Sequence, residues 1–108
     1  WQPEFFNWAF NLERGKALAE KWAMIDADTD VLITHGPPHG ILDQVQEGEH
    51  VGCEALLDRV TAVAPAYHVF GHIHEGYGEL KQAGTTFINA SINTHKYRPE
   101  NFAKVFEV

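Results

Sequence analysis

Two short apolar runs, each ending on a histidine beside a glycine, constrain the fold more than any other feature. Val31–Thr34 runs into His35, and Tyr67–Gly71 runs into His72. Both runs have the length and the β-branched or aromatic composition of buried strands. In an open α/β sheet, functional groups gather at the carboxyl ends of the strands. We therefore expect His35, His72 and His74 to lie at one edge of one sheet.

Length, charge and cysteine content limit the class of protein. The 108 residues are 44% hydrophobic, enough for one modest core. The formal charge of −7 argues against nucleic acid as a partner, since binding to a phosphate backbone needs clustered positive charge. No apolar run approaches the roughly 18 residues of a membrane span, so we expect no membrane partner. A single cysteine, Cys53, excludes an intrachain disulfide and favours a reducing, cytoplasmic compartment.

The periodicity of apolar residues predicts the element order α-β-α-β-β-β-β. Helices are predicted over Glu13–Ile25 and Gly52–Ala64, and strands over Val31–Thr34, Tyr67–Gly71, Glu79–Gln82, Thr85–Ala90 and Asn101–Val108. Residues 1–12 follow neither period, and we expect an irregular segment lying against an apolar surface. The order is typical of one half of an α/β sandwich with a mixed sheet. Because the chain begins at Trp1 rather than Met, we expect a fragment of a longer domain.

The spacing of the histidines favours a pair of metal ions. Side chains two apart in extended backbone project to the same side, with Cα atoms about 6.8 Å apart. His72 and His74 therefore suit two ions roughly 3.5–4 Å apart better than a single ion. His35, arriving from the neighbouring strand, could join either ion. The alternative is that these are ordinary histidines of a polar loop, as a lone His-x-His usually is.

Other metal sites do not fit the spacing. His35 and His39 are four residues apart, but Gly36–Pro38 between them cannot form the helix that such a pair requires. His68 sits within a predicted strand, where we expect a packed side chain. One cysteine cannot form a structural zinc site of the cysteine type.

Four longer sequence motifs occur in the same order and with the same spacing as in a known family. They are Leu32–Pro38, Val51–Cys53, His68–Gly78 and Ile88–Ser91. Together they resemble the calcineurin-like metallophosphoesterases, in the branch called metallophosphoesterase-domain-containing proteins. The resemblance implies that residues 1–108 are the C-terminal portion of such a domain, one half of a four-layer α/β/β/α sandwich, with the N-terminal half absent.

The resemblance also implies roles for the three histidines. His35 and His72 match ligands of the second metal, and His74 matches a ligand of the first. The family's other ligands come from an Asp-x-His motif, a bridging Asp and an Asn-His pair. Neither the Asp-x-His motif nor the Asn-His pair occurs in this chain. Mixed imidazole and carboxylate ligation favours Mn, Fe or Zn. We therefore expect two transition-metal ions, a need for the N-terminal half as partner, and little activity in the 108 residues alone.

The implied function is a metal-dependent phosphoester hydrolase. The branch resemblance favours a phosphodiester substrate such as a cyclic nucleotide. No residue of this chain is assigned with certainty as catalytic. The alternative is a non-catalytic module that binds a metal or a nucleotide, because the N-terminal ligands are missing. An Asp-x-His word upstream in the same open reading frame would favour the enzyme.

Three further residues are candidates for contact with the substrate. Glu75 and Tyr77 follow the Gly-His-Ile-His word on a predicted loop, and Asn89 ends the strand before Ser91. For Glu75 and Tyr77 the alternative is simple loop structure, and for Asn89 it is a turn role.

The remaining candidates are expected to be structural. His39 and Asp43 lie in the loop after His35, where a solvated position is favoured. The aromatic stretch Phe5–Phe10 could stack on a nucleobase, but packing against the core is the stronger expectation. Cys53 is expected to be a small buried hydrophobe.

Overall fold

Four strands form one mixed sheet, and two helices pack against one of its faces. The computed structural model describes all of residues 1–108. The strands are β1 Gln2–Pro3, β2 Asn11–Leu12, β3 Val31–Ile33, β4 Tyr67–Phe70, β5 Gly78–Gln82 and β6 Thr85–Asn89; the helices are α1 Lys16–Trp22 and α2 Glu54–Val63, with a 3₁₀ turn at His74–Gly76. Neither α-helix is long and apolar enough to cross a membrane.

The four-stranded sheet runs in the order β3-β4-β6-β5. Both β3 and β6 are parallel to β4, whereas β5 is antiparallel to β6. The β5–β6 hairpin turns at Ala83 and Gly84, whose φ angles are +49° and +84°. Positive φ at both central positions matches the twist of a tight hairpin. The predicted mixed α/β class and mixed sheet are confirmed.

The register of the parallel strands brings their carboxyl ends to one edge. Ile33 pairs with Val69, which in turn pairs with Ile88. The ladder continues beyond the strands, because the Gly71 N–H donates to the His35 carbonyl at 3.0 Å. The loops that follow β3, β4 and β6 therefore begin side by side, at what is called here the carboxyl edge.

The core lies between the helices and the sheet. On α2, Leu56 and Val60 are one turn apart and each is buried. They form one cluster with residues of α1, of the sheet and of the segment between β3 and α2: Leu18, Trp22, Ile41, Cys53, Phe70 and Phe87. Helix α2 ends where Ala64 takes a left-handed conformation, followed by Pro65.

Both helices are shorter than predicted. Helix α1 begins only after Gly15, whose φ of +92° is not helical, and ends at Trp22. Helix α2 begins at Glu54 rather than Gly52, because Gly52 is buried against the backbone of Pro38. The carbonyl of Pro38 leaves no room there for a Cβ atom, so this glycine serves the approach of two loops.

The predicted strand over Asn101–Val108 is wrong. Residues 101–108 form no strand, and most of their apolar side chains are exposed, with Phe102 85% exposed and Val105 93% exposed. The Phe106 ring stacks on Tyr67 with centroids 4.6 Å apart, and the Tyr67 hydroxyl donates to the Glu107 carbonyl at 2.9 Å. The alternation of apolar residues here does not lead to pairing in a ladder, because no neighbouring strand pairs with this segment.

The segment before α1 is largely irregular, as predicted, and its ends are tied together. β1 and β2 pair in parallel over two residues each. The Gln2 amide donates to the Ala9 carbonyl and to Asn11 Oδ1, and the Asn11 amide donates to the carbonyls of Phe5 and Phe6. These bonds close residues 2–11 into a loop.

The expectation that this segment packs against an apolar surface is wrong. Phe6 is 81% exposed and Phe10 is 69% exposed. The aromatic side chains contact one another instead, as in the edge-to-face pair of Phe5 and Trp8 at 4.9 Å. Since the loop is closed by its own amide groups, it does not need the core to hold its shape.

Candidate metal centre

His35 and His72 are in direct contact at the carboxyl edge. His35 Nε2 lies 3.1 Å from His72 Nδ1, and the ring centroids are 4.8 Å apart. The Gly71 N–H bond to the His35 carbonyl joins the two loops one residue before His72. Two strand ends thus bring imidazoles together that are 37 residues apart in the chain.

The backbone at His72 has an unfavourable conformation. Its φ of +68° lies in the left-handed region, which is uncommon for a residue with a Cβ atom. Such strain costs on the order of 1–3 kcal/mol and is found mainly at functional sites. The preceding Gly71 runs close to the next strand end, since a Cβ atom there would lie 3.3 Å from Ser91 Oγ. Strain and close packing together direct the His72 ring toward His35.

His74 lies on the same edge but has a partner of its own. Its Nδ1 is 3.1 Å from the carbonyl of Thr94, so Nδ1 carries the proton that donates to this oxygen. In this tautomer of the neutral ring, Nε2 is the nitrogen that is free to act as a ligand. The ring also packs edge-on against Tyr97, with centroids 5.3 Å apart.

The three histidines do not form a complete site for one ion. No group of three His, Cys, Asp or Glu side chains in the chain lies close enough to hold a metal. His35 and His72 face one another, whereas His74 is hydrogen-bonded to the carbonyl of Thr94. The donor set within the chain is one facing pair and one separate imidazole.

The electrostatics of the pair favour neutral rings. The pKa of His72 is lowered to about 4, chiefly by burial and in addition by the neighbouring His35 and His74. Burial also lowers the pKa of His35 below its ordinary value. Both rings are therefore neutral at neutral pH, which is the form in which imidazole binds a metal.

A cavity of about 520 Å³ opens over the histidines. His35, His72 and His74 line it, together with Glu75 from the 3₁₀ turn. Its other walls come from residues 2–14, the loop after β3 and the loop after β6. Its volume lies within the range of small-molecule sites.

Aromatic rings form one wall of this cavity. Phe5 stands perpendicular to the His72 ring at 5.1 Å, and Trp8 packs against the same ring at 6.3 Å. A second cavity of about 510 Å³ lies between Trp1, Trp8, Phe10 and His35. The segment expected to pack on the core instead shields the histidine pair.

Two of the predicted substrate contacts do not line the cavity. The Tyr77 hydroxyl donates to the Phe102 carbonyl at 2.7 Å, on the side of the C-terminal segment. Asn89 is fully buried, and its amide donates to the carbonyls of Leu42 and Ile73 at 3.1 and 2.8 Å. Their hydrogen bonds support loop structure, whereas Glu75 lies where a ligand could reach it.

The cavity wall also contains residues that the sequence analysis missed. His95 and Tyr97 line it from the loop after β6. The signal was present in the sequence, because β6 is the third strand of the parallel edge and its loop must also start there. Gln2 borders both cavities and carried no such signal. Trp8 also borders both, and it lies in the aromatic stretch that the sequence analysis considered for stacking.

The loop after His35 is held by a buried carboxylate. Asp43 is fully buried and accepts the backbone N–H groups of Gly40 and Gly52, each at 2.8 Å. Its other oxygen lies 2.6 Å from His50 Nδ1. His39 and Asp43 do not line the cavity. The solvated position expected for Asp43 is thus wrong, since it anchors the loop from within.

Known proteins resemble the chain over nearly its whole length. Metallophosphoesterase domain-containing protein 1 of Homo sapiens is 54% identical over 103 residues, covering 94% of this chain and 32% of that protein. The same holds for the Mus musculus protein of that name. The Caenorhabditis elegans UPF0046 protein T07D4.2 is 47% identical over all of this chain and 28% of its own length. The chain belongs to the family of metallophosphoesterase domain-containing proteins.

The metallophosphoesterase domain-containing proteins are longer than this chain, which spans about a third of the length of the relatives it matches. No family model matches the chain. The segment that it shares with these relatives contains the contact between His35 and His72 and the cavity above it.

Proposed function

We propose that the chain forms one side of the metal centre of a phosphoester hydrolase. One observation carries this proposal: His35 Nε2 and His72 Nδ1 face each other at 3.1 Å at the carboxyl edge. The relatives that share this segment are named for a metallophosphoesterase domain. Two neutral imidazoles at a strained strand end are the kind of donor group that such a domain needs.

The donor chemistry fits two transition-metal ions, Mn, Fe or Zn. His35 and His72 would hold one ion through their facing nitrogens, and His74 would hold the other through Nε2. The remaining ligands, including a bridging carboxylate, would come from the N-terminal half of a four-layer calcineurin-like sandwich. When bound, the ions would neutralise the charge of a phosphate and polarise its ester bond.

The chain's own residues would prepare the histidines. The Thr94 carbonyl fixes the protonation of His74, and burial keeps His72 neutral. Phe5 and Trp8 shield the His72 ring from water, which strengthens its interaction with a charge. Glu75 lies in the cavity wall and is the predicted contact for the substrate's polar groups.

The proposed substrate is a phosphodiester, with a nucleotide as the favoured class. The cavity has the size of a small-molecule site, and aromatic rings suited to stacking stand beside it. Since the net charge is −7, attraction of a phosphate would depend on the ions in the site and not on the protein surface. The buried free thiol of Cys53 supports a reducing, cytoplasmic setting.

The test replaces one histidine of the facing pair. His72→Ala, made in the complete open reading frame that encodes this chain, should lower bound metal and reduce hydrolysis of bis(p-nitrophenyl) phosphate by at least about 100-fold, beyond the usual effect of indirect metal contacts. His39→Ala is the matched control, because His39 lies outside the cavity. Bound metal is measured by mass spectrometry.

Three results are informative. Loss of metal and turnover in His72→Ala, with both retained in His39→Ala, supports the proposal. Unchanged metal content and turnover in His72→Ala contradicts it. An unmodified protein that binds metal without hydrolysing phosphodiesters would instead favour the non-catalytic binding module.

A further inference from the structure

A buried chain of hydrogen bonds lies behind the facing histidines. His68 Nε2 is 2.9 Å from Thr34 Oγ1, and Thr34 Oγ1 donates to the Gly36 carbonyl at 2.8 Å. We infer that His68 and Thr34 are positioning residues that fix the direction of the His35 ring. Only the consequence for metal binding rests on the proposed function.

The protons of this chain can be assigned by counting donors. The Thr34 hydroxyl has one hydrogen, which it gives to the Gly36 carbonyl. Thr34 Oγ1 can therefore only accept from His68, so His68 carries its proton on Nε2. His68 Nδ1 has no hydrogen-bond partner and is buried. The opposite tautomer would place an unpaired N–H donor there and would also leave two acceptors facing one hydroxyl hydrogen.

Because His68 is buried, its ring stays neutral at neutral pH and keeps its proton on Nε2. His68 has no exposed surface, and its ring packs against Phe70 and Phe87 at 5.0 and 5.7 Å. No charged side chain forms a hydrogen bond with it. A buried neutral ring held between two aromatic rings has one orientation, so its Nε2–H donor has a fixed direction.

The chain of bonds acts on the turn that carries His35. The bond from the Thr34 side chain to the Gly36 carbonyl spans His35 and closes the turn on one side. On the other side, the His35 carbonyl accepts the Gly71 N–H at 3.0 Å. With both sides held, the backbone of His35 has little freedom. A fixed backbone limits the rotamers that the His35 ring can adopt, and the one adopted here faces His72.

A purely structural role for Thr34 gives different expectations. Thr34→Val keeps the shape of the side chain and removes the hydroxyl, whereas Thr34→Ser keeps the hydroxyl. Under the inference, the valine variant should lose the facing geometry of His35 and the serine variant should retain it. If Thr34 only packs, both variants should change stability and leave the His35–His72 contact intact.

The experiment measures geometry first and metal affinity second, in the complete protein. Nitrogen-15 NMR of the metal-free protein reports the tautomer of His68 and the coupling across the hydrogen bond between His35 and His72. Titration with Mn²⁺ alone then gives the metal affinity. Thr61→Val is the matched control, because Thr61 Oγ1 also donates to a backbone carbonyl, that of Leu57, but on the exposed side of α2.

We expect the Nε2–H tautomer at His68, loss of the coupling in Thr34→Val, and Mn²⁺ affinity lowered by about 10- to 100-fold in that variant. Thr34→Ser and Thr61→Val should match the unmodified protein. His68→Gln, which keeps an N–H donor, should retain the coupling better than His68→Leu.

An Nδ1–H tautomer at His68, or a coupling that survives in Thr34→Val, overturns the inference. The tautomer in the unmodified protein decides the proton assignment even if a variant fails to fold. Failure of the proposed function would look different: the expected tautomer and coupling would be present, but the unmodified protein would bind no Mn²⁺.

Discussion

The helix-covered face of the sheet and its carboxyl edge differ in their packing and in their backbone conformation. On the face, Leu56 and Val60 are buried in a continuous apolar cluster. At the edge, His72 has a strained backbone and His35 an exposed side chain, with a cavity above both. Favourable packing on the face can hold the unfavourable conformation at the edge. Within one small sheet, the residues that stabilise the fold lie on the face, and the residues of the candidate site lie at the edge.

Strand β4 carries His68, and His72 follows two residues after the end of this strand. Burial lowers the pKa of both His68 and His72 to about 4. His68 lies in the core with a hydroxyl partner, whereas His72 lies against another imidazole and a cavity. The same loss of hydration therefore accompanies core packing at His68, within the strand, and a position suited to ligand binding at His72, just beyond its end.

The largest expected effect on stability comes from a substitution at Gly76, where the loop after β4 packs tightly against Leu42 and Asn89. A Cβ atom there would overlap the Leu42 carbonyl and lie 2.8 Å from the Asn89 amide nitrogen. Backbone and a buried amide cannot move aside easily, so Gly76→Ala should destabilise the fold by about 4 kcal/mol, at the upper end of single substitutions. Urea unfolding of the complete protein measures this loss.

Gly36→Ala is the control for that substitution. Gly36 is also buried at the edge, but a Cβ atom there would meet His72 at an ordinary contact of 3.9 Å. We expect a change within about 1 kcal/mol. Equal stability of the two variants would show that the loop at Gly76 is free to move, contrary to its packing here.

A smaller effect concerns pH and arises at the buried His68 of β4. The ordinary pKa of histidine is 6.5, and that of buried His68 is lowered to about 4. As pH falls below 6.5, the unfolded chain takes up a proton at this position and the folded chain does not. The free energy of unfolding should therefore fall between pH 6.5 and 4, by about 3 kcal/mol for His68.

His68→Phe tests this origin of the pH dependence. The variant cannot titrate at this position, so its stability should fall less steeply between pH 6.5 and 4 than that of the unmodified protein. Urea unfolding at several pH values gives both slopes. An unchanged slope in the variant would place the pH dependence at other groups.

The fold was predictable where local sequence decides it. The apolar runs at β3 and β4 and the turn at Ala83 and Gly84 were placed correctly, because length and turn chemistry are local properties. Residues 101–108 were predicted wrongly, because alternation of apolar residues does not say whether a neighbouring strand is available to pair with them. The loop at residues 2–11 depends on amide pairs that no periodicity reveals.

The site was predictable as far as strand ends determine it. The carboxyl-edge rule anticipated that His35 and His72 would be near each other, and the structure places their rings in contact. The direction of individual side chains at this edge was not accessible from the sequence. Asn89 turns toward Leu42, a residue 47 positions away, and that contact depends on the whole fold.

The central claim is that His35 and His72 together hold one metal ion. Crystals of the complete protein grown with Mn²⁺ would test it through anomalous scattering at the manganese edge. The account predicts a peak bonded to both His35 Nε2 and His72 Nδ1, at the roughly 2 Å typical of metal–imidazole bonds. A peak located elsewhere, with the two rings still bonded only to each other, would contradict it.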